Sequence, residues 1–323
     1  MNMMEALSIG RYKRHVKLWT LNCDPDRAKL LVPKIEADWY SKDDKLPVAF
    51  FTIVYNGMPY IEYHLDKFKK MPFPWHWYIV EGLSMVAGDP GSEGHRARGG
   101  RIPDDIEGNL SADGTSEYLD KLASLPNVTV FRRNGIWPSK LDMINTPLPS
   151  INYECILWEI DVDEFYSDES MITLYKIMLE NPKKTTAIIP HIAFMGKTKY
   201  IVHNGNGWGS QCFPRPWRYK PGYRWKFHEP PVLIDKNGQA LNKLNPLQGK
   251  EVENLGYHHY GYVHPSQIKF KESYYGYKGL YDGWLRLQNT HGRVKVYDFL
   301  NIAEAKDAVA DDWKGEHLIP FNW

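Results

Sequence analysis

The run Cys155 to Tyr166 constrains this chain most: apolar residues dense in Ile, Leu and Trp end abruptly in alternating carboxylates. A short apolar run of this kind reads as a buried strand, and period-two geometry points Asp161 and Asp163 to one side where the strand leaves its sheet. Carboxylate oxygens suit hard divalent cations, and Mn2+ or Mg2+ needs only one or two of them when phosphates supply other ligands. The functional expectation is a metal-diphosphate site. A charged strand end turned into water is the alternative that the motif alone leaves open.

Context has to decide, and composition narrows it. A chain of 323 residues, 43% hydrophobic and 14% aromatic, can bury a large core and suits one extended α/β domain or two small ones. With 40 basic against 39 acidic residues the net charge is +1, which excludes the global basic field of a nucleic-acid binder. Cys23, Cys155 and Cys212 are far apart and odd in number, so neither a disulfide framework nor a zinc cluster is expected. No apolar run reaches the length of a membrane span, and the basic start (Arg11, Lys13, Arg14) lacks an apolar signal region. A soluble, cytoplasmic protein with no transmembrane segment is the expectation, with peripheral membrane attachment left open.

Residues 1–45 are mixed and charged and read as an N-terminal extension. Pro47 to Gly57 is a strand stopped by Asn56-Gly57 and followed by a helix over 60–70, half of a βαβ unit. Trp77 to Gly82 is the next strand, again ending in a carboxylate. Ligands of open α/β sheets sit beyond the carboxyl ends of strands, so Tyr55, Asn56, Glu81 and the Asp161 cluster are expected at one crevice. The Gly-rich, charged stretch 83–111 lacks the context of a phosphate loop and reads as an insertion or lid with solvated arginines. A helix from Asp113 through Leu125, a strand at Val128 to Phe131 and a helix over Leu141 to Leu148 precede the carboxylate strand.

These elements in this order resemble the nucleotide-sugar half of a GT-A glycosyltransferase of the family-2-like type. The residues carrying the resemblance are Tyr55-Asn56, Glu81-Gly82, Asp113-Gly114-Thr115, Asn134-Gly135, Asn145 and Asp161-Val162-Asp163-Glu164. It implies a single α/β domain over 46–300 with a Rossmann-like open mixed sheet flanked by helices, followed by a C-terminal tail at 301–323. It also implies Tyr55 with Asn56 near the nucleobase, Glu81 at base or ribose, and Asp161 and Asp163 on Mn2+ or Mg2+ and the diphosphate, with Glu164 orienting the metal shell or donor sugar. One departure is that the insertion separates Glu81 from Asp113, which the family keeps in one compact turn.

The second half adds colinear pieces. Phe213 to Arg218 and Tyr223 to Glu229 are similar to the P-R-aromatic-R and H-E stretch of several bacterial family-2-like enzymes, and Gly256 to Tyr260 with Lys269 to Lys271 resembles their H-Y and S-x-x-x-x-K end. The resemblance implies Glu229 as an acidic group facing the acceptor and His259 as a third metal ligand. His258 and His259 cannot both point one way on a strand, so one of them is structural. Arg215 and Arg218 are diphosphate or acceptor contacts, or else hold the fold. Trp208, Trp217, Trp225 and His228 fall on the acceptor side. The expected function is metal-dependent, inverting transfer of a sugar from a UDP- or GDP-linked donor to a hydroxyl of a glycan or other acceptor, with Glu229 as base and Asp235, Asp104 or Asp105 as its rivals. A sugar nucleotidyltransferase and a non-catalytic carbohydrate-binding protein are the alternatives from other classes.

Overall fold

The computed structural model describes residues 46–86, 93–203, 212–300, 302 and 305–321. The expected extension at 1–45 and Trp208 lie outside these residues. In the first half, strands β1 (Val48–Val54), β2 (Trp75–Glu81), β3 (Val128–Phe131), β4 (Cys155–Glu159) and β5 (Glu164–Tyr166) alternate with helices. Those helices are α1 (Ile61–Lys69), α2 (Glu93–Ala97), α3 (Thr115–Leu122), α4 (Lys140–Asn145) and α5 (Asp168–Glu180). The second half adds β6 (Thr186–Met195), β7 (Lys199–His203), β8 (Cys212–Tyr219), β9 (Arg224–Phe227), β10 (Val232–Ile234), β11 (Tyr257–Tyr262), β12 (Val294–Lys295) and β13 (Val309–Asp312). Its helices are α6 (Leu241–Leu244), α7 (Pro265–Tyr275), α8 (Leu280–Gln288) and α9 (Tyr297–Leu300).

Strands β3, β2, β1 and β4 lie side by side and run parallel. The chain steps from β1 to β2 to β3 in one direction, then returns to place β4 on the other side of β1. The switch point, where α/β sheets hold their ligands, therefore lies between β1 and β4. Beyond β4 the sheet turns antiparallel through β8 and β6, while β11 runs parallel to β6 and antiparallel to β5. The result is a mixed α/β architecture built on one mixed sheet of eleven strands among the described residues.

Side-chain alternation builds both faces. Phe50, Trp77, Ile79, Ile156 and Trp158 pack on one side with α1, α3 and α5. Their neighbours Phe51, Tyr78, Cys155 and Leu157 pack on the other with Trp217 and Trp225. Strands covered on both faces read as continuous apolar runs, which is why the central ones are visible in the sequence. Cys155 is a buried thiol whose pKa burial pushes up to about 12, so it is inert; Cys212 is disulfide-bonded, where no disulfide framework was expected. Within the expected tail at 301–323, β13 pairs with β7, and the backbone N–H of Leu318 donates to the Tyr260 hydroxyl at 3.1 Å. No helix among the described residues is long and apolar enough to cross a membrane.

Candidate active site

The exits of β1, β2 and β4 floor a cavity of about 770 Å³ walled by β8, the His228-Glu229 turn, β11 and α7. Its size is that of a small-molecule site. Asp161, Asp163, Glu164, Arg215, Glu229 and His259 all line it.

The carboxylate segment is two strands rather than one. β4 stops at Glu159, the Glu164 N–H closes a turn on the Asp161 carbonyl at 2.9 Å, and β5 begins at Glu164. This turn cancels the expected period-two alternation, and the two aspartates take different partners. Asp161 approaches Arg215 Nη2 at 3.5 Å, whereas Asp163 faces His259 Nε2 at 3.5 Å and accepts from Gln267 at 3.4 Å.

The core holds the turn from several directions. Thr52 Oγ1 donates to the Ile160 carbonyl at 2.8 Å, the His64 ring donates to the Val162 carbonyl at 2.8 Å, and the Tyr260 N–H donates to the Asp163 carbonyl at 2.8 Å. Gly57 leaves room for it: a Cβ there would meet Val54 at 2.5 Å and Val162 at 3.0 Å.

Arg215 is buried at the centre, with Nη1 at 3.0 Å from Glu159 and Nη2 at 3.3 Å from Glu164. One guanidinium thus faces three carboxylates. Burial, helped by repulsion from Asp161, outweighs Arg215 and raises both Glu159 and Glu164 to about 7. Asp163 goes the other way, because the His259 imidazole outweighs burial and holds its carboxyl well below the usual range.

Glu159, Asp161 and His228 each offer a ligand atom within 4.8 Å of one another, the one such group among the described residues. Glu159 Oε2 is taken by Arg215 Nη1 at 3.0 Å and His228 Nδ1 lies 3.5 Å from Glu229 Oε1, while Glu159 Oε1 and His228 Nε2 face each other at 3.8 Å. Two carboxylates and an imidazole fit a divalent cation, and the nitrogen favours Mn2+ over Mg2+. Asp163 and His259, expected as ligands beside Asp161, pair with each other and fall outside this group.

Glu229 is 54% exposed and bonds to Lys140 Nζ at 2.6 Å, with His228 Nδ1 at 3.5 Å. Lys140, helped by His228, depresses the carboxyl well below the usual range. The same ammonium donates to the Tyr275 hydroxyl at 3.0 Å. Tyr55 also lines the cavity, its ring 5.7 Å from that of Phe270.

Other expected residues lie elsewhere. Asn56 is spent on the fold: its side-chain oxygen accepts from the Ala112 N–H at 2.9 Å, and its φ of 51° is a left-handed value that Asn tolerates. Glu81 is fully buried under Arg132 Nε at 2.6 Å and accepts from the Ser111 N–H at 3.2 Å, away from the cavity lining. Arg218 donates to the carbonyls of Lys184 and Met178, in keeping with the alternative that it holds the fold. Trp225 is core, set edge-on to Trp217 at 5.5 Å, so neither ring is an acceptor platform. His258 turns into an aromatic cluster with Phe194 and Trp313, where burial lowers its pKa to about 3, leaving His259 as the cavity-facing member.

Sequence reasoning passed over Glu159, Lys140 and His95, all at or beside the cavity, while Lys271 is the lysine of the S-x-x-x-x-K pattern and lines it. Glu159 did carry a signal: a carboxylate inside an otherwise apolar run is costly unless paired. The insertion is not merely solvated, since the Arg98 guanidinium lies 4.5 Å over the Tyr277 ring and His95 lies 4.6 Å from the Tyr275 ring.

No protein-family model matches the chain, and no curated protein does. Among solved structures it resembles S. aureus TarS 1-349 at 16% identity and a TM-score of 0.31, over 47% of this chain and 37% of that one. A longer S. aureus TarS structure matches at 16% identity and a TM-score of 0.30, over 47% and 23%. The mannosyltransferase PcManGT from Pyrobaculum calidifontis, in complex with GDP-Man and Mn2+, matches at 18% identity and a TM-score of 0.32, over 57% and 46%. The chain therefore spans less than half the length of each. Likeness at this level leaves function to be read from the site itself.

Proposed function

We propose that the protein transfers a glycosyl group from a nucleotide-diphosphate sugar to an acceptor hydroxyl. The observation that carries this reading is the gathering of Asp161, Arg215, His228 and Glu229 around one cavity at the β1/β4 switch point. Crevices at that place in an α/β sheet take nucleotide ligands. The diphosphate faces Arg215, Lys271 and His259, whose charges offset its own. Glu159, Asp161 and His228 are the residues that would hold a Mn2+, which when bound supplies Lewis-acid stabilisation of the diphosphate oxygens.

Glu229 accepts the acceptor's proton as the acceptor oxygen bonds to the anomeric carbon and the carbon–oxygen bond to the diphosphate breaks. The electron pair of that bond leaves with the nucleoside diphosphate. One carboxylate on the acceptor side is enough for such a direct displacement, which inverts the anomeric configuration. Lys140 keeps Glu229 deprotonated and ready to accept, at some cost in basicity.

Incubation with a panel of nucleotide sugars and Mn2+ should release a nucleoside diphosphate. Pyrophosphate formed from a nucleoside triphosphate and a sugar phosphate, or no turnover at all, would overturn the reading. Glu229→Gln should keep donor binding while turnover falls by ~10²–10⁴-fold, the range for loss of a general base. Near-normal turnover in that variant would remove Glu229 from the role.

A further inference from the structure

We propose that the acceptor is an uncharged pyranose seated against Tyr275, with His95 from the 83–111 insertion completing the subsite. The inference rests on the glycosyl-transfer reading and adds to it where the acceptor binds and what kind of molecule it is.

The first argument is proximity. One ammonium, Lys140 Nζ, bonds both Glu229 Oε1 at 2.6 Å and the Tyr275 hydroxyl at 3.0 Å. Any hydroxyl that delivers its proton to Glu229 therefore lies beside Tyr275. The second is surface chemistry. Tyr275 is half-buried and lines the cavity, continuous with Tyr274, Tyr277 and Phe270. Aromatic rings suit the C–H faces of a pyranose, while an apolar wall gives a charged group nothing in exchange for its water.

The third argument is charge. At the Tyr275 hydroxyl the ionic groups are Lys140 and Glu229, paired to each other, while Arg98 is engaged by the Tyr275 carbonyl and the Tyr277 ring, so a carboxylate or phosphate on the acceptor would meet the Glu229 anion and a cationic acceptor the Lys140 ammonium. The tryptophans that the sequence placed on this side are in the core, so the acceptor wall is made by α7 and the insertion instead.

His95 reaches the cavity because the insertion is fastened to the end of α7. The Arg101 N–H donates to the Ser273 carbonyl at 3.0 Å, and Arg98 Nε donates to the Tyr275 carbonyl at 3.3 Å. A Cβ on Gly100 would meet the Tyr274 carbonyl oxygen at 2.6 Å, so glycine is required for this approach.

Saturation-transfer NMR with neutral methyl pyranosides, methyl glucuronide and glucose 6-phosphate, on the full chain with Mn2+ and a nucleoside diphosphate, tests the assignment. At least one neutral glycoside should take up saturation, strongest on the hydrogens of one ring face, and the two anions should not. Tyr275→Leu should weaken that binding by ~10-fold, the scale of one lost aromatic contact, while Tyr275→Phe retains it. His95→Ala, which leaves the backbone bond to Gly100 in place, should weaken it several-fold and covers the case in which Tyr275→Leu misfolds. No binding by any neutral glycoside, equal binding of the anions, or unchanged binding in both Tyr275→Leu and His95→Ala would each overturn the proposal. Nucleoside diphosphate affinity, measured in the same samples, is expected to stay unchanged in these variants. Its absence in the wild type would instead sink the underlying glycosyl-transfer reading.

Discussion

Arg215 carries one positive charge among Glu159, Asp161 and Glu164, so its removal exposes what that cluster costs. Breaking a buried ion pair by deleting one partner typically destabilises by ~3–5 kcal/mol, because the other charge stays buried and uncompensated. Arg215→Met should fall in that range in urea unfolding at about pH 8, above the pKa of about 7 that Glu159 and Glu164 share. Arg215→Lys should recover only part of it, since a point charge cannot bridge carboxylates as a planar fork does. A loss below ~1 kcal/mol for the Met variant would mean that the carboxylates are already neutral.

His64 offers a test by pH. It is buried against Phe165 at 4.6 Å, and burial lowers its pKa from 6.5 to about 4 against the weaker opposing pull of Val162 and Asp163, with Lys67 adding to the lowering. The unfolded chain binds this proton more readily than the folded one. The stability at stake is therefore fully present above about pH 6.5 and is lost as pH falls toward 4, an effect of roughly 3 kcal/mol. His64→Gln can still donate to Val162 but cannot titrate, so its urea midpoint should fall less than that of the wild type between about pH 7.5 and about pH 5. Parallel declines would refute the assignment.

At the scale of elements, the turn between β4 and β5 separates what the sequence shows from what it hides. β1 and β2 are legible because apolar runs covered on both faces end in turn or polar residues. The break after Glu159 is not, because Ile160 and Val162 continue the apolar alternation and the turn is made by a backbone bond that leaves no compositional mark. Trp225 was legible but misassigned: Arg224, Trp225 and Lys226 alternate exposed, buried, exposed, and that period-two pattern points the ring into the core. Thr52 holds the turn and accepts from Trp77 Nε1 at 3.1 Å as well as donating to Ile160. Thr52→Val keeps the shape but leaves two buried groups unsatisfied, so a loss of ~1–3 kcal/mol is expected for each group not rescued by water. Because the same bond fixes the Asp161 segment, nucleoside diphosphate affinity should fall with it; calorimetry on the folded variant checks this, and full affinity would show that the other tethers suffice.

At the scale of the whole molecule, the site is assembled from contacts that no local pattern encodes. Asp161 meets Arg215 across 54 positions, Lys140 meets Glu229 across 89, and Asp163 meets Gln267 across 104. Residues at strand ends could be nominated from the sequence, but their partners could not, which is why Asp161 was legible while Glu159 and Lys140 were passed over. The strand Val309–Asp312 was hidden for a related reason: it ends in two aspartates and reads as polar until β7 supplies its partner.

The central claim, a metal-assisted nucleoside diphosphate site on Asp161, is tested most directly by titration calorimetry of nucleoside diphosphates into the wild type, Asp161→Ala and Asp163→Ala, with Mn2+ and with chelator. The wild type should bind only with Mn2+, and Asp161→Ala should lose at least ~10-fold in affinity through loss of a hard oxygen ligand. Asp163→Ala should lose less, since Asp163 is occupied by His259. Binding that is indifferent to chelator, or undiminished in Asp161→Ala, would contradict the account.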